Sequence, residues 1–495
     1  MPAPAFDIID ATFADIHAAY RAGTLTARRL VRMYLDRIDA YDKRGPTINS
    51  IISVNPKALE EADRLDAAFG SSGFVGPLHG IPLVMKDQGD VKEMPTTLGS
   101  VLFRNHRPDR DAFVVAKLRE AGAIFLGKAT LGEMGAGDTH GSLFGSTRNV
   151  YDLARTAGGS SGGTGASVSA NFAAAGIGQE GFASIRRPSI WNGIAGMRPT
   201  AGLVSRTGVY AGWPTCNGSL GPMARSVEDL ARLLDCMVGY DPADPVTARG
   251  VGQAPDSYAA LLDSDALRGA RIGILREPMG FRVEPDSEDF ARIDAVFGRA
   301  VGELQGAGAE IVDPVVIPDL NALLARRARS VEGDDEAFAH YVAGSANAPF
   351  ATREEAMKSP LFAEVSRGVR TRWAASNTAQ SWYEYLDARE TLMTNMLKVM
   401  ADHRLDAIVH KAVEHQPTLI EEGLNPPYYD QRGAPHINTF LIYVPSVVVP
   451  AGFTTDDLPA GITFLGRPYD DAAMLRLAYA YEQATHHRRA PTTTP

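Results

Sequence analysis

Short apolar runs alternate with helix-periodic stretches along most of this chain, and that alternation narrows the fold more than any single residue does. Strands are expected over 51–54, 81–85, 123–127, 271–275 and 310–312, with a late pair over 447–449 and 462–465. Between them lie amphipathic segments. In 26–42, Thr26 is a natural N-cap and Leu30, Met33, Tyr34, Ile38 and Tyr41 recur on one face. Helices are also expected around Leu59, Ala62 and Leu65, over 114–121, and over 471–484. Strands that alternate with helices indicate an α/β layered fold. Residues 320–404 read as helical and highly charged, either a cap over the sheet or ordinary peripheral helices, and the tail after 485 reads as disordered. No fixed-period repeat is visible.

A chain of 495 residues with 45% hydrophobic content can bury a large core. Its net charge of −10 argues against non-specific nucleic-acid binding, which needs clustered Lys and Arg. Two cysteines, Cys216 and Cys236, are too few for a disulfide framework and suit a reducing cytosol. The first residues lack a basic run followed by an apolar one, so no signal peptide is expected. Two long uncharged stretches are poor membrane spans: 158–179 is mostly Gly, Ser and Ala, and 433–455 carries Pro435, Pro445 and Pro450. The expectation is a soluble, cytoplasmic protein.

The chemistry concentrates in three residues. Ser160 lies in Gly158-Gly159-Ser160-Ser161-Gly162-Gly163, Ser184 in Gly181-Phe182-Ala183-Ser184-Ile185-Arg186, and Lys86 closes the apolar run Ile81-Pro82-Leu83-Val84-Met85. A serine hydroxyl is a weak nucleophile until a neighbouring base takes its proton. A lysine serves as that base if desolvation or a cationic neighbour keeps its amine neutral. The glycine run alone is weak evidence. It lacks the Gly-Lys-Ser/Thr of a phosphate loop. It does match G-x-S-x-G, which allows an α/β-hydrolase elbow with Ser160 as nucleophile, but residues 151–156 are a poor strand into it. There is no Ser-x-x-Lys pair, and His403, His410 and His415 form no recognised ligand pattern, so neither metal nor cofactor is expected.

These motifs resemble those of the amidase signature hydrolases, which use a Ser–Ser–Lys triad. Ser184 follows Ser160 by 24 positions, the family's usual offset. The flanking runs Phe144-Gly145-Ser146-Thr147-Arg148-Asn149 and Gly196-Met197-Arg198-Pro199-Thr200 fit as well, as do Leu25–Leu30 at one end and Leu458–Ile462 at the other. The resemblance implies that Ser184 is the nucleophile, Ser160 the bridging serine behind a cis bond to Gly159, and Lys86 the base. It implies an oxyanion hole from the backbone N–H groups of Gly181, Phe182, Ala183 and Ser184, and an acyl pocket at Met134, Gly135 and Ala136. Phe182, Tyr210 and Trp213 are candidate apolar walls, and Asp87 and Asn149 candidate supports. Arg186 and Arg187 are read either as contacts to a substrate carboxylate or as partners of acidic side chains, with at least one structural. The chain departs from the family pattern in three places: Phe182 and Ala183 replace a Gly-Gly pair, Val150 replaces a proline, and Gly218 replaces an aspartate.

Alternation and resemblance together imply a single large α/β/α domain over 1–495 with a mixed, mostly parallel central sheet. Its parts are N-terminal helices (1–70), a catalytic core (71–315), a helical, cap-like region (320–404), the C-terminal part of the core (405–485) and a tail (486–495). The leading functional expectation is a metal-free amidase that works through an acyl-enzyme, with carbamates (urethanase activity), anilides or esters also chemically accessible. Its expected substrate is a small-molecule amide or carbamate, with no nucleic-acid or membrane partner and a homodimer allowed. Three alternatives remain open: the A-type subunit of a tRNA-dependent amidotransferase, an α/β-hydrolase-type esterase, and an inactive binding protein on the same fold.

Overall fold

The computed structural model describes residues 6–210, 218–328, 331–375 and 378–495, of which Val331 is described by its backbone alone. Among the described residues, eleven strands form one sheet: β1 (Ile51–Val54), β2 (Pro82–Lys86), β3 (Ile124–Ala129), β4 (Ala175–Glu180), β5 (Ala195–Arg198), β6 (Ser219–Ala224), β7 (Arg271–Leu275), β8 (Glu310–Val315), β9 (Ala407–Lys411), β10 (Ser446–Phe453) and β11 (Pro459–Leu465). Their order across the sheet is β1-β3-β2-β4-β6-β5-β10-β11-β9-β7-β8.

The α/β expectation and the mixed sheet hold; the balance within the sheet does not. Only four neighbouring pairs are parallel, β3 with β2, β2 with β4, β9 with β7 and β7 with β8, and the other six are antiparallel. The antiparallel excess comes from β5 and β6, which the apolar-run reading missed, and from the β10–β11 hairpin. Parallel strands need a crossover of a dozen or more residues, which the segments around β2, β3 and β4 supply. The link between β10 and β11 is only a few residues long.

The parallel trio β3-β2-β4 positions the site. All three strands are buried along their whole length, as parallel strands covered on both faces must be. They end side by side at Ala129, Lys86 and Glu180, and the loops leaving that edge carry most of the predicted chemistry.

Helix Ala27–Arg37 begins on Thr26, whose hydroxyl accepts the Arg29 N–H, a cap worth about 1 kcal/mol. It packs Leu30, Val31 and Tyr34 into the main core. The segment after β8 is helical, as expected. Val331–Ala343 and Arg367–Ala374 share a separate apolar cluster with Leu98, Phe103 and Met134, and Ala379–Asp402 caps another with Ile408 and Leu441.

The tail corrects the sequence reading. Arg37 donates to the carbonyls of Thr494 and Pro495, and Thr493 to that of Val150. Arg488 pairs with Asp10 and bonds the Ser169 and Gly193 carbonyls. These are bonds to chain carbonyls far away in sequence, invisible to a local reading of polarity. Among the described residues, no helix is long and apolar enough to cross a membrane. Cys236 is buried and unpaired, and Cys216 lies outside the described residues.

Candidate active site

Lys86 is the last residue of β2 and is completely buried. Its Nζ donates to Ser160 Oγ at 2.7 Å and to the Gln179 carbonyl of neighbouring β4 at 3.1 Å. Burial drives its amine well below the ordinary lysine value, against a smaller opposing pull from Glu180. That shift favours the neutral amine, the form a base requires, and the contact places it beside a hydroxyl.

Ser160 follows a cis peptide bond from Gly159. Its carbonyl accepts the Gly132 N–H at 2.9 Å, while the Gly159 carbonyl accepts from Arg187 Nη2 at 2.8 Å. The glycines around it are sites of close approach. A Cβ on Gly159 would lie 2.3 Å from the Gly137 carbonyl, and one on Gly163 would lie 2.3 Å from Thr130 Oγ1. The run is therefore a packed turn leading into helix Gly162–Ser169, not a loose linker.

Ser184 sits in the loop that leaves β4, beside a cavity of about 250 Å³. Glu180 organises that loop. Its carboxylate accepts the N–H groups of Ile185 at 2.8 Å and Arg186 at 3.0 Å, and pairs with Arg186 Nε at 2.7 Å, all fully buried. Arg186 Nη2 donates on to the carbonyls of Phe182 and Pro435. The Ser184 carbonyl accepts the Ser161 N–H at 3.1 Å, which ties the two serine loops together. Among the described residues, the N–H groups of Phe182, Ala183 and Ser184 have no hydrogen-bond acceptor, and Ser184 Oγ has no hydrogen bond to Ser160 Oγ.

The cavity is lined by Ser184, Gly135, Ala136 and Phe182, as expected, and also by Arg327, Gly368, Thr371, Arg372, Asp430 and Gln431. The helical segment after β8 thus forms one wall of the pocket. Met134 does not line it. The Met134 side chain is buried in the cluster beneath that segment, its φ is +51°, and its carbonyl accepts from Arg372 at 2.8 Å. Tyr210 is likewise buried in that cluster, away from the cavity, and Trp213 lies outside the described residues.

Phe182 stacks on His436 with ring centroids 5.2 Å apart, meets Phe281 edge-on at 6.0 Å, and lies 4.6 Å beneath the Arg327 guanidinium. Burial beside Arg327 and Arg186 pushes His436 down to about 3, so this ring is uncharged at neutral pH.

Several candidate residues turn out to be scaffold. Asp87 pairs with buried Lys128 at 2.9 Å and caps Thr97. Asn149 bonds the Trp191 carbonyl at 2.6 Å. Arg186 and Arg187 are both buried and internally paired, with Glu180 and Asp138, so neither is committed to a substrate carboxylate. His403 is exposed, and His410 and His415 are occupied by backbone carbonyls and Asp289. Among the described residues, no three potential metal ligands cluster. Sequence reading missed Asp430, Gln431, Arg372 and Arg327, which come from regions with no recognisable motif. It also missed Glu180 as the organiser of the Ser184 loop, although the acidic residue four places before Ser184 was a usable signal.

A family model described as Amidase matches residues 29–475. The chain belongs to the amidase signature family. The A-type subunit of glutamyl-tRNA(Gln) amidotransferase from Halorhodospira halophila is 34% identical across 97% of this chain and 98% of its own length. The native peptide amidase of Stenotrophomonas maltophilia superimposes with a TM-score of 0.87 at 32% identity, covering 98% of this chain and 99% of its own. The corresponding Thermotoga maritima amidotransferase subunit does so with 0.74 at 26%, covering 98% of each.

Amidase signature membership supports amide C–N bond chemistry, whether by a hydrolase or by an amidotransferase. It also corrects the expected partners. The sequence reading expects a small-molecule amide or carbamate as substrate, with no nucleic-acid or membrane partner and a homodimer allowed. Several full-length relatives are instead subunits of an enzyme named for glutamyl-tRNA(Gln). A net charge of −10 disfavours non-specific phosphate binding by this surface; it does not bar a chain from an assembly that acts on a tRNA.

Proposed function

We propose that this chain cleaves a carboxamide C–N bond through an acyl-enzyme on Ser184, and that it does so as the amide-cleaving subunit of an amidotransferase-type assembly. The observation that carries the chemistry is the 2.7 Å contact between Lys86 Nζ and Ser160 Oγ, at a lysine whose proton affinity burial lowers. Ser184 Oγ attacks the amide carbon as its proton passes to Ser160 Oγ and the Ser160 proton passes to Lys86. Relay contacts tighten once substrate is bound. The carbonyl oxygen becomes an oxyanion facing the N–H groups of the 182–184 loop, where each donor is worth about 10²–10³ in rate. The ammonium of Lys86 then returns a proton through Ser160 to the leaving nitrogen. Water, deprotonated along the same path, releases the acid from Ser184.

The sequence relatives support the assembly reading. The cavity agrees with it: Arg327 and Arg372 share the walls with Asp430, so both signs of charge are available to a substrate that carries an ammonium and a carboxylate, as glutamine does. One observation favours a second reading, hydrolysis of a peptide carboxamide. The peptide amidase superimposes more closely than the amidotransferase subunit does.

Ammonia release from L-glutamine and from an amidated dipeptide separates the two, with the Ser184→Ala protein as blank. Glutamine turnover, with KM raised in Arg372→Met, supports the assembly reading. Turnover of the dipeptide amide alone supports the second. Release from neither, or release that survives Ser184→Ala, contradicts both.

A further inference from the structure

Arg187 is buried to 1% exposure, next to an arginine already committed to Glu180, and it faces the other way, toward the glycine-serine turn. Its Nη2 serves two oxygens, the Gly159 carbonyl at 2.8 Å and Asp138 Oδ1 at 2.8 Å. Its guanidinium also lies 5.3 Å over the Trp191 ring, which limits its movement. Asp138 is as buried as its partner. Its N–H donates to Asp430 Oδ1 at 2.7 Å, and its Oδ2 accepts the Gln431 N–H at 3.4 Å. Asp430 and Gln431 line the catalytic cavity. A continuous path therefore runs from the cavity wall through Asp138 and Arg187 to the peptide that carries Ser160.

We propose that Asp138 and Arg187 are a positioning pair, which holds the Gly159–Ser160 peptide plane and so keeps the Ser160 hydroxyl aimed between Lys86 and Ser184. This rests on the reading of Ser160 as the proton relay. The physical argument is that such a pair is a poor device for stability. Burial, with Asp430 adding to it, pushes the Asp138 carboxyl up to about 7 even with Arg187 beside it, and well-packed apolar residues in place of a buried ion pair are often neutral or stabilising. What an apolar pair cannot do is hold the Gly159 carbonyl. With Gly159 O held by Arg187 and Ser160 O by the Gly132 N–H, the peptide units on both sides of Ser160 are fixed, and Arg187 holds the one that precedes it. Lysine at 187 keeps the charge but lacks the rigid, planar guanidinium that lies over the Trp191 ring and presents Nη2 to both oxygens.

The test is the second-order rate at which a fluorophosphonate labels Ser184 in the full-length protein, with folding checked by circular dichroism. Arg187→Lys is expected to slow labelling about 10²-fold, the scale of a misplacement near 1 Å. Asp138→Asn, which keeps the shape but loses the charge on the pair, is expected to slow it about tenfold. In a Ser160→Ala background neither substitution should cost anything further, because both act through Ser160. Multiplicative losses in the double variants would mean a general structural role and overturn the proposal, as would wild-type labelling in either folded single variant. If Arg187→Lys does not fold, Asp138→Asn carries the same test. Ser160→Ala labelling at the wild-type rate would refute the relay itself, an outcome distinct from failure of the pair.

Discussion

Replacing Lys86 with methionine should abolish activity and change how stability depends on pH. The side chain is fully buried, and its partners are Ser160 Oγ and the Gln179 carbonyl. Methionine fills similar volume without an amine. Two hydrogen bonds are lost at about 1 kcal/mol each, but Gln179 O still accepts from Ser161 Oγ at 3.3 Å and an awkwardly buried amine is gone. The net change near neutral pH is expected to lie within about 2 kcal/mol. The pH dependence is the sharper result. In the unfolded chain this amine holds its proton up to about pH 10.4. In the folded chain burial has lowered its value well below that. Between the two values the unfolded state binds one more proton, so wild-type stability rises with pH by up to about 1.4 kcal/mol per unit. Lys86→Met lacks this slope, and all other groups cancel in the difference between the proteins. Urea midpoints for both at pH 7, 8 and 9 measure it. The stability of wild type relative to the variant should climb with pH above the lowered Lys86 value. A constant difference would mean that Lys86 stays protonated in the fold, and the proposed base would be lost.

Further outcomes follow from the same geometry. Wild-type kcat/KM should rise with pH through the lowered Lys86 value, since only the neutral amine accepts a proton; a profile that rises only near the ordinary lysine value would contradict this. Glu180→Ala leaves the Arg186 guanidinium buried without its counter-charge and unties the nucleophile loop. A loss of about 3–5 kcal/mol in chemical denaturation is expected, and a loss below 1 kcal/mol would refute the role assigned to Glu180. Phe182→Gly removes the ring held between His436, Phe281 and Arg327 while keeping the backbone N–H, so it should reorder a panel of acyl sizes and leave Ser184 labelled by fluorophosphonate. An unchanged ranking would make Phe182 a packing residue only.

Much of the chemistry was legible because it sits in local runs. Lys86 at a strand end, Ser160 within its glycines and Ser184 in the run 181–186 are read directly, and the fold brings Lys86 and Ser160 into contact and Ser184 to the cavity. The missing strands had physical reasons to be missed. β6 is built largely from small residues and carries Pro222 in its interior, paired with Ile177. Such a proline normally argues against a central strand. Without β6 and β5 the sheet looked mostly parallel. The cavity walls were illegible for a different reason. Arg372 and Asp430 come to the cavity beside Ser184 only through long-range packing, and nothing in their sequence neighbourhoods distinguishes them from solvated surface charge. Met134 shows the reverse case. It lies beside two true lining residues, yet its left-handed backbone turns the side chain into the cluster beneath.

The most direct test of the central claim is peptide mapping of the protein trapped with a slowly deacylating carboxamide or ester. An adduct on Ser184, absent from Ser184→Ala and strongly slowed in Ser160→Ala and Lys86→Met, is the predicted result. An adduct on Ser160 in a Ser184→Ala protein that still turns over would contradict it and would assign the nucleophile to the glycine-rich turn instead.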